Sequence, residues 1–264
     1  SFKGVLQLKI ATVTPVPEGE ADLAQFVPAA SGNLPAMAAE VLKIAKRVEN
    51  PFLRQLLLEF FRDRRFFAAF KKAPAAKNMH HAYVGGLLEH SLGVTRLAVK
   101  VAELYPDLDE SLLLAGALLH DVGKVEEFSY AAYPFDYTDS GRLVGHHVLG
   151  VELVQARIAR IPGFPKELAV RLKHLILSHH GRPEFGSPAV PMMLEAFILN
   201  FLDDLDAKVN YLRRLGSQTP ESGYQWTDYQ RTLERFLYVQ GRPEPEQEDE
   251  EAEIDPRQQN LWQR

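Results

Sequence analysis

From residue 34 onward, apolar positions return every three or four residues, the period of a helix that buries one face. The pattern predicts helices over 35–48, 51–61, 64–72, 83–105, 109–119, 146–160, 165–179, 191–215 and 226–239. Pro35 and Pro51 stand where a first helical turn tolerates a missing N–H, and Asn50 offers a side-chain acceptor to the helix it precedes. Asp109 does the same for the run ending at His120. The rhythm changes in three places. In residues 1–17, Val5, Leu6, Leu8 and Ile10 alternate loosely with Gln7 and Lys9 until Pro15 and Pro17, which reads as one strand. A lone strand is not stable, so it needs a partner: either it docks on the helical body or, the reading we prefer, it is the last strand of a domain lying ahead of this chain. Residues 18–33 read as a linker. In residues 127–145, Phe128, Tyr130, Tyr133, Phe135 and Tyr137 around Pro134, followed by the turn-like Thr138-Asp139-Ser140-Gly141, predict a short β-hairpin between helices. From Pro243 the chain turns acidic and poor in apolar residues, as loosely held tails are. The expected organisation is a strand at 1–17, a linker at 18–33, one helical domain at 34–241 and an acidic tail at 242–264. The fold class is all-α: a helical bundle with a short β-hairpin insertion and a remnant N-terminal strand.

Composition alters this picture in two ways. The formal net charge of −5 is carried entirely by residues 242–264, where eight acids meet three arginines, so the rest of the chain holds 27 positive and 27 negative side chains. A neutral body can still present a local basic face. There is no cysteine, which excludes disulfides, thiolate metal sites and cysteine nucleophiles. No uninterrupted apolar run reaches the roughly 18 residues of a membrane span. The start at Ser1-Phe2-Lys3-Gly4 lacks both an initiator Met and a signal-peptide layout. These features suit a cytoplasmic protein with no membrane partner, and the first residues read as those of a piece of a longer chain.

The candidate chemistry lies in histidines and aspartates spread in order: His90, the doublet His120-Asp121, His146, the doublet His179-His180, and Asp203. His120-Asp121 ends the apolar run Leu112-Leu113-Leu114-Ala115-Gly116-Ala117-Leu118-Leu119. Burying a carboxylate beside such a run is costly unless it is paired or bound to metal, and the C-terminal end of a helix disfavours an acid. A metal removes both objections. Mixed imidazole and carboxylate donors suit Mn, Fe, Co, Ni or Zn rather than Mg or Ca. A metal with open positions makes water nucleophilic and holds a phosphate oxygen, so phosphoester hydrolysis is the first expectation. His147, next to His146, projects about 100° away around a helix. Asp203 and Asp206 share a helix face, whereas Asp204 and Lys208 form an i,i+4 pair. Residues 60–77 interleave Phe60, Phe61, Phe66, Phe67 and Phe70 with Arg62, Arg64, Arg65, Lys71, Lys72 and Lys77. Such a stretch can track a single strand by phosphate contact and base stacking, or its rings can be core and its cations solvated.

His90, His120-Asp121 and Asp203 resemble, in order, the His…His-Asp…Asp signature of the HD superfamily of metal-dependent phosphohydrolases. The extra His146 and His179-His180 resemble its two-metal members. The likeness narrows at Met79-His80-His81-Ala82-Tyr83-Val84-Gly85-Gly86-Leu87-Leu88-Glu89-His90 and at His179-His180-Gly181-Arg182-Pro183-Glu184-Phe185-Gly186-Ser187-Pro188. With Glu195-Ala196 and Asp203-Asp204-Leu205-Asp206-Ala207-Lys208, these stretches closely resemble the YhaM-type 3′→5′ exoribonucleases over roughly residues 34–240. Asp204 departs from the Asn of that family's usual run without touching the ligand pattern. The resemblance implies an all-helical HD-domain bundle preceded by an OB-fold domain, of which residues 1–17 resemble the end.

It also implies two divalent ions bridged by Asp121. His90, His120 and Asp203 complete one site; His146, His179 and His180, with His146 preferred to His147 for its spacing to Gly150, complete the other. Lys124 is expected to bind a phosphate oxygen with Arg182 in support, and His80 or His81 to meet the substrate. Arg64 and Arg65 belong to the expected nucleic-acid contacts. The expected substrate and partner is single-stranded RNA, with single-stranded DNA as the second candidate, and the oligomeric state is left open. Two other readings stand beside this one. A small-nucleotide or cyclic-dinucleotide phosphohydrolase is disfavoured because Gly181-Arg182-Pro183-Glu184 replaces the Gly-Tyr-Pro motif of the cyclic-dinucleotide branch. A non-catalytic nucleic-acid-binding module is disfavoured because the ligand set is complete.

Overall fold

The computed structural model describes residues 10–14, 29–30, 32–77, 81–129, 135–219 and 222–241. The chain divides after Lys208 into two compact units. The first opens with α1 (Leu34–Arg47), α2 (Pro51–Phe61) and α3 (Arg64–Phe70). Each begins at a side-chain cap: Asn33 accepts from the N–H of Ala36, Asn50 from those of Phe52 and Leu53, and Asp63 from those of Arg65 and Phe66. These caps satisfy N–H groups that a first turn leaves without partners.

α4 (Gly86–Leu104) and α5 (Glu110–Leu119) follow, and α5 is the axis of the unit. Every residue from Leu112 to Leu119 is buried. A helix that is apolar all round must be covered all round, and α5 packs against α2, α4 and α9 (Lys166–Ser178). Gly116 lets α9 approach, because a Cβ there would collide with Leu175. α6 (Lys124–Glu127) then leads into β1 (Phe128–Ser129), which pairs antiparallel with β2 (Asp136–Tyr137). The expected hairpin is present. The stretch that reads as its turn is instead a short helix, α7 (Asp139–Leu143), capped by Thr138 on the N–H of Gly141. Among the described residues, α8 (His146–Ile158), α9, a 3-10 turn at Pro183–Phe185 and α10 (Leu194–Gln218) complete the helices.

The five phenylalanines of residues 60–70 are all buried, none more than 8% exposed, so their rings are core. Arg157 lies over two of them, 4.0 Å from the centroid of Phe60 and 4.8 Å from that of Phe66. Arg62, Arg64, Arg65 and Lys72 remain exposed.

One predicted helix is overturned. Residues 226–239 are not helical: β3 (Tyr224–Trp226) pairs antiparallel with β4 (Tyr238–Gln240), and Trp226 stands opposite Tyr238. The period here is two. Tyr224, Trp226 and Tyr238 turn their rings outward while Val239 is buried. β-branched and aromatic residues favour a pleated surface, and that preference outweighs the weak three-to-four-residue spacing. Of the predicted N-terminal strand, residues 10–14 form no strand and are exposed; the rest of 1–17, like the tail at 242–264, lies outside the described residues. No helix among the described residues is long and apolar enough to cross a membrane.

Candidate metal centre

The predicted ligands meet in the first unit. α5 delivers His120 at its C-terminal end, and the next residue is Asp121; both are buried. His90 comes from the buried face of α4, His146 and His147 from the first turn of α8, His179 and His180 from the end of α9, and Asp203 from α10. α6 brings Lys124 and Glu127 beneath them. The entry to α8 depends on a close approach: a Cβ on Gly123 would collide with the carbonyl of His146 and the N–H of Gly150.

The imidazoles are anchored from behind. His120 Nδ1 lies 2.9 Å from the carbonyl of Ala117, His179 Nδ1 2.7 Å from that of Ile176, and His180 Nδ1 2.9 Å from that of Phe185. His90 Nδ1 sits 2.8 Å from Asp206 Oδ2, and His146 Nδ1 3.0 Å from Glu127 Oε1. A carbonyl or carboxylate oxygen can only accept, so each Nδ1 carries its proton. A neutral ring then has its lone pair on Nε2, the form that binds metal.

The Nε2 atoms face two groups divided by Asp121. On one side, His90 Nε2 is 2.9 Å from Asp203 Oδ1, 3.2 Å from His120 Nε2 and 3.6 Å from Asp121 Oδ2. His120 Nε2 is 3.4 Å from Asp121 Oδ2 and 3.7 Å from Asp203 Oδ1. Donors around one metal at bond lengths of about 2.1 Å stand about 3.0–3.4 Å apart, and these spacings bracket that range. On the other side, Asp121 Oδ1 is 3.6 Å from His146 Nε2 and 3.5 Å from His179 Nε2. His146, His147, His179 and His180 each place a ring nitrogen within 4.8 Å of the others. His147 is therefore part of this cluster beside His146. Adjacent helical residues diverge around the axis, but at the start of α8 both rings reach the same space, 4.1 Å between centroids.

The unsatisfied atoms test whether a cation fits. Asp121 Oδ1, His146 Nε2, His147 Nε2 and His179 Nε2 are buried and have no hydrogen-bond partner. Orphaned buried polar atoms are costly, and these are one anionic oxygen and three imidazole nitrogens. All are metal donors, and a divalent ion satisfies them together.

The electrostatics agree. Burial disfavours a charged His90, but its hydrogen bonds to Asp203 and Asp206 outweigh that and raise its pKa to about 10. Burial would also raise Asp121 and Asp203; Lys124 and His120 hold Asp121 well below the usual carboxylate range, and His90 does so for Asp203. The second cluster is the reverse. Burial and the neighbouring imidazoles push His180 down to about 3 and His147 lower still, and burial also lowers His146. These rings stay neutral at physiological pH.

The remaining predicted contacts fall as follows. Lys124 is buried with Nζ 2.6 Å from Asp121 Oδ2, an ion pair that outweighs desolvation and keeps it an ammonium. Arg182 is exposed just beyond the His179-His180 end of α9, and Arg64 and Arg65 are exposed on α3. His81 is buried, with Nε2 3.0 Å from Asp206 Oδ2. His80 lies outside the described residues. Sequence reasoning did not single out Glu127, whose Oε1 takes both the N–H and the Nδ1–H of His146 at 3.0 Å.

The HD domain family profile matches residues 87–208, and the TraI_2 helicase profile matches residues 52–106. The chain is 38% identical over 215 residues to the 3′-5′ exoribonuclease YhaM of Bacillus subtilis, covering 81% of this chain and 67% of that one. Its identity to the 3′-5′ exoribonuclease YhaM of Shouchella clausii is also 38%, over 81% of this chain and 66% of the relative. The same holds for that of Bacillus licheniformis, at 38% over 81% and 67%. The chain thus spans about two thirds of the length of these relatives. No solved structure matches it.

Proposed function

This chain belongs to the HD family of metal-dependent phosphohydrolases, and from that membership we propose that it removes nucleotides one at a time from the 3′ end of single-stranded RNA. The observation that carries the reading is Asp121, whose Oδ2 faces the Nε2 atoms of His90 and His120 while its Oδ1 faces those of His146 and His179. Asp121, His90, His120 and Asp203 would hold one divalent ion; Asp121, His146, His147, His179 and His180 would hold a second. Bound there, such ions supply a strong nucleophile from water at neutral pH and neutralise charge on the phosphate oxygens. The donor set favours the Mn, Fe, Co, Ni or Zn class.

The chain's own side chains do the rest. The ammonium of Lys124, a buried cation of the cluster, takes a phosphate oxygen, with Asp121 fixing it in place. Arg182 extends the positive charge outward from the His179-His180 corner. On the first unit, Arg64 and Arg65 offer phosphate contacts. On the second, Tyr224 and Tyr238 stack at 5.4 Å and Trp226 meets Tyr238 at 5.1 Å, all exposed. Exposed rings of this kind stack on bases without regard to sequence; the phenylalanines of residues 60–70, being core, cannot.

The test is hydrolysis of a single-stranded RNA labelled at its 5′ end, beside bis-p-nitrophenyl phosphate and a cyclic dinucleotide, in Mn(II). The expected result is a ladder of shortening 5′-labelled products with mononucleotide release, abolished in Asp121→Asn. Faster turnover of the cyclic dinucleotide than of RNA would replace the polynucleotide reading with the small-nucleotide one. Retained cleavage in Asp121→Asn would overturn the metal-centre assignment.

A further inference from the structure

A third cluster lies behind the first metal group and is built differently. His81, His90 and Asp206 converge, but none of their atoms is among the buried polar atoms without a partner. Asp206 Oδ2 accepts from His90 Nδ1 at 2.8 Å and from His81 Nε2 at 3.0 Å. His81 Nδ1 is 2.8 Å from the hydroxyl of Tyr83, which donates to Glu89 Oε2 at 2.7 Å. This is a closed hydrogen-bonded chain, His90–Asp206–His81–Tyr83–Glu89, rather than an open cradle for an ion.

The surrounding backbone is shaped to hold it. His81 has φ 48, a left-handed conformation that non-glycine residues adopt at a cost. Its carbonyl accepts from the N–H of Ala75 at 3.1 Å. Gly86 makes room for that same carbonyl, because a Cβ there would collide with it. Gly93, one turn along α4 from His90, makes room for the Asp206 carboxylate in the same way. Gly86 thus seats the backbone of the strained His81, and Gly93 seats the carboxylate that bonds both His81 and the metal-facing His90.

We propose that Asp206 is a positioning residue, held by His81, that fixes the ring of His90 with Nε2 turned to the metal. His81 thus serves the ligand from behind and does not meet substrate. The inference rests on the metal-centre reading. Carboxylates behind ligating histidines set ring orientation and basicity, and their loss typically weakens metal binding by about 10–100-fold.

The experiment is Mn(II) titration calorimetry on the full chain and on Asp206→Ala, Asp206→Glu, His81→Gln and Asp204→Ala, with metal-free thermal melts of each. Asp204 is exposed on the same helix and pairs with Lys208, so its variant controls for a general effect on α10. Expected are Mn(II) affinity about 10–100-fold weaker in Asp206→Ala, a smaller loss in His81→Gln, partial rescue in Asp206→Glu and no change in Asp204→Ala. Hydrolysis by Asp206→Ala should return as Mn(II) is raised, which a merely unfolded variant would not do. Wild-type affinity in a folded Asp206→Ala overturns the proposal. So does a loss that no Mn(II) concentration restores. A wild-type chain that takes up no Mn(II) would overturn the metal reading itself, and this inference with it.

Discussion

His147 sits next to a residue already assigned to the metal, yet its own Nε2 is buried without a hydrogen-bond partner in the four-histidine group. His146 and His147 are therefore expected to act together. Elemental analysis after Mn(II) loading should show His146→Ala and His147→Ala both losing the second ion while keeping the first. An unchanged stoichiometry in His147→Ala would return the role to His146 alone. Lys124 makes a different prediction. Its ammonium neutralises Asp121 from 2.6 Å and is proposed to meet a charge that grows during reaction. Such groups typically contribute a factor of about 10²–10³ to kcat. Lys124→Gln should show that loss on bis-p-nitrophenyl phosphate with KM little changed; a change confined to KM would make Lys124 a simple binding group.

Helices matter here chiefly by where they end. His120 closes α5, His179 and His180 close α9, and His146 and His147 open α8. A helix end lets neighbouring side chains turn to one place, which the interior of a helix does not. The approach of α6 to α8 is the tightest of these junctions, with Gly123 facing the backbone of His146 and Gly150. Gly123→Ala should cost roughly 1–3 kcal/mol, as overpacking does, read as a fall in the urea midpoint. It should also weaken Mn(II) binding, because the displaced backbone carries His146. Normal Mn(II) affinity in a destabilised Gly123→Ala would mean that the junction serves packing only.

For the molecule as a whole, the two sides of the centre make opposite demands on pH. His90 is raised to about 10, so its contribution to the metal-free fold is complete below pH 6.5 and lost as pH rises towards 10. His147 and His180 are depressed, the latter to about 3, so their contribution is complete above pH 6.5 and lost as pH falls. The metal-free chain should be most stable near neutrality. A divalent ion must displace the His90 proton, so added Mn(II) should raise Tm more at pH 8 than at pH 6. An equal or larger rise at pH 6 would remove His90 from the ligand set. Charge gives a second prediction at this scale. The acidic residues 242–264 carry the whole net charge of −5, so their removal should raise RNA turnover at low salt, by a margin that shrinks as salt screens it. Turnover of bis-p-nitrophenyl phosphate should not change.

The helical body was legible because its signals are local: apolar spacing, Asn50 before Pro51, Asp109 before α5. The candidate ligands were legible as a set because histidine beside aspartate at the end of an apolar run has few cheap explanations other than metal, and the fold brings their side chains together. Tertiary structure alone decided the rest. Phe60, Phe61, Phe66, Phe67 and Phe70 could have been a stacking surface, and only packing made them core. Residues 226–239 could have been helical, and only pairing across β3 and β4 chose the two-residue period. Asp206 and Glu127 carry no local mark of their roles. What matters is which ring each one braces, and those rings lie 116 and 19 residues away in sequence. A hydrogen bond across such a distance depends on how the chain closes on itself, which neither periodicity nor composition records.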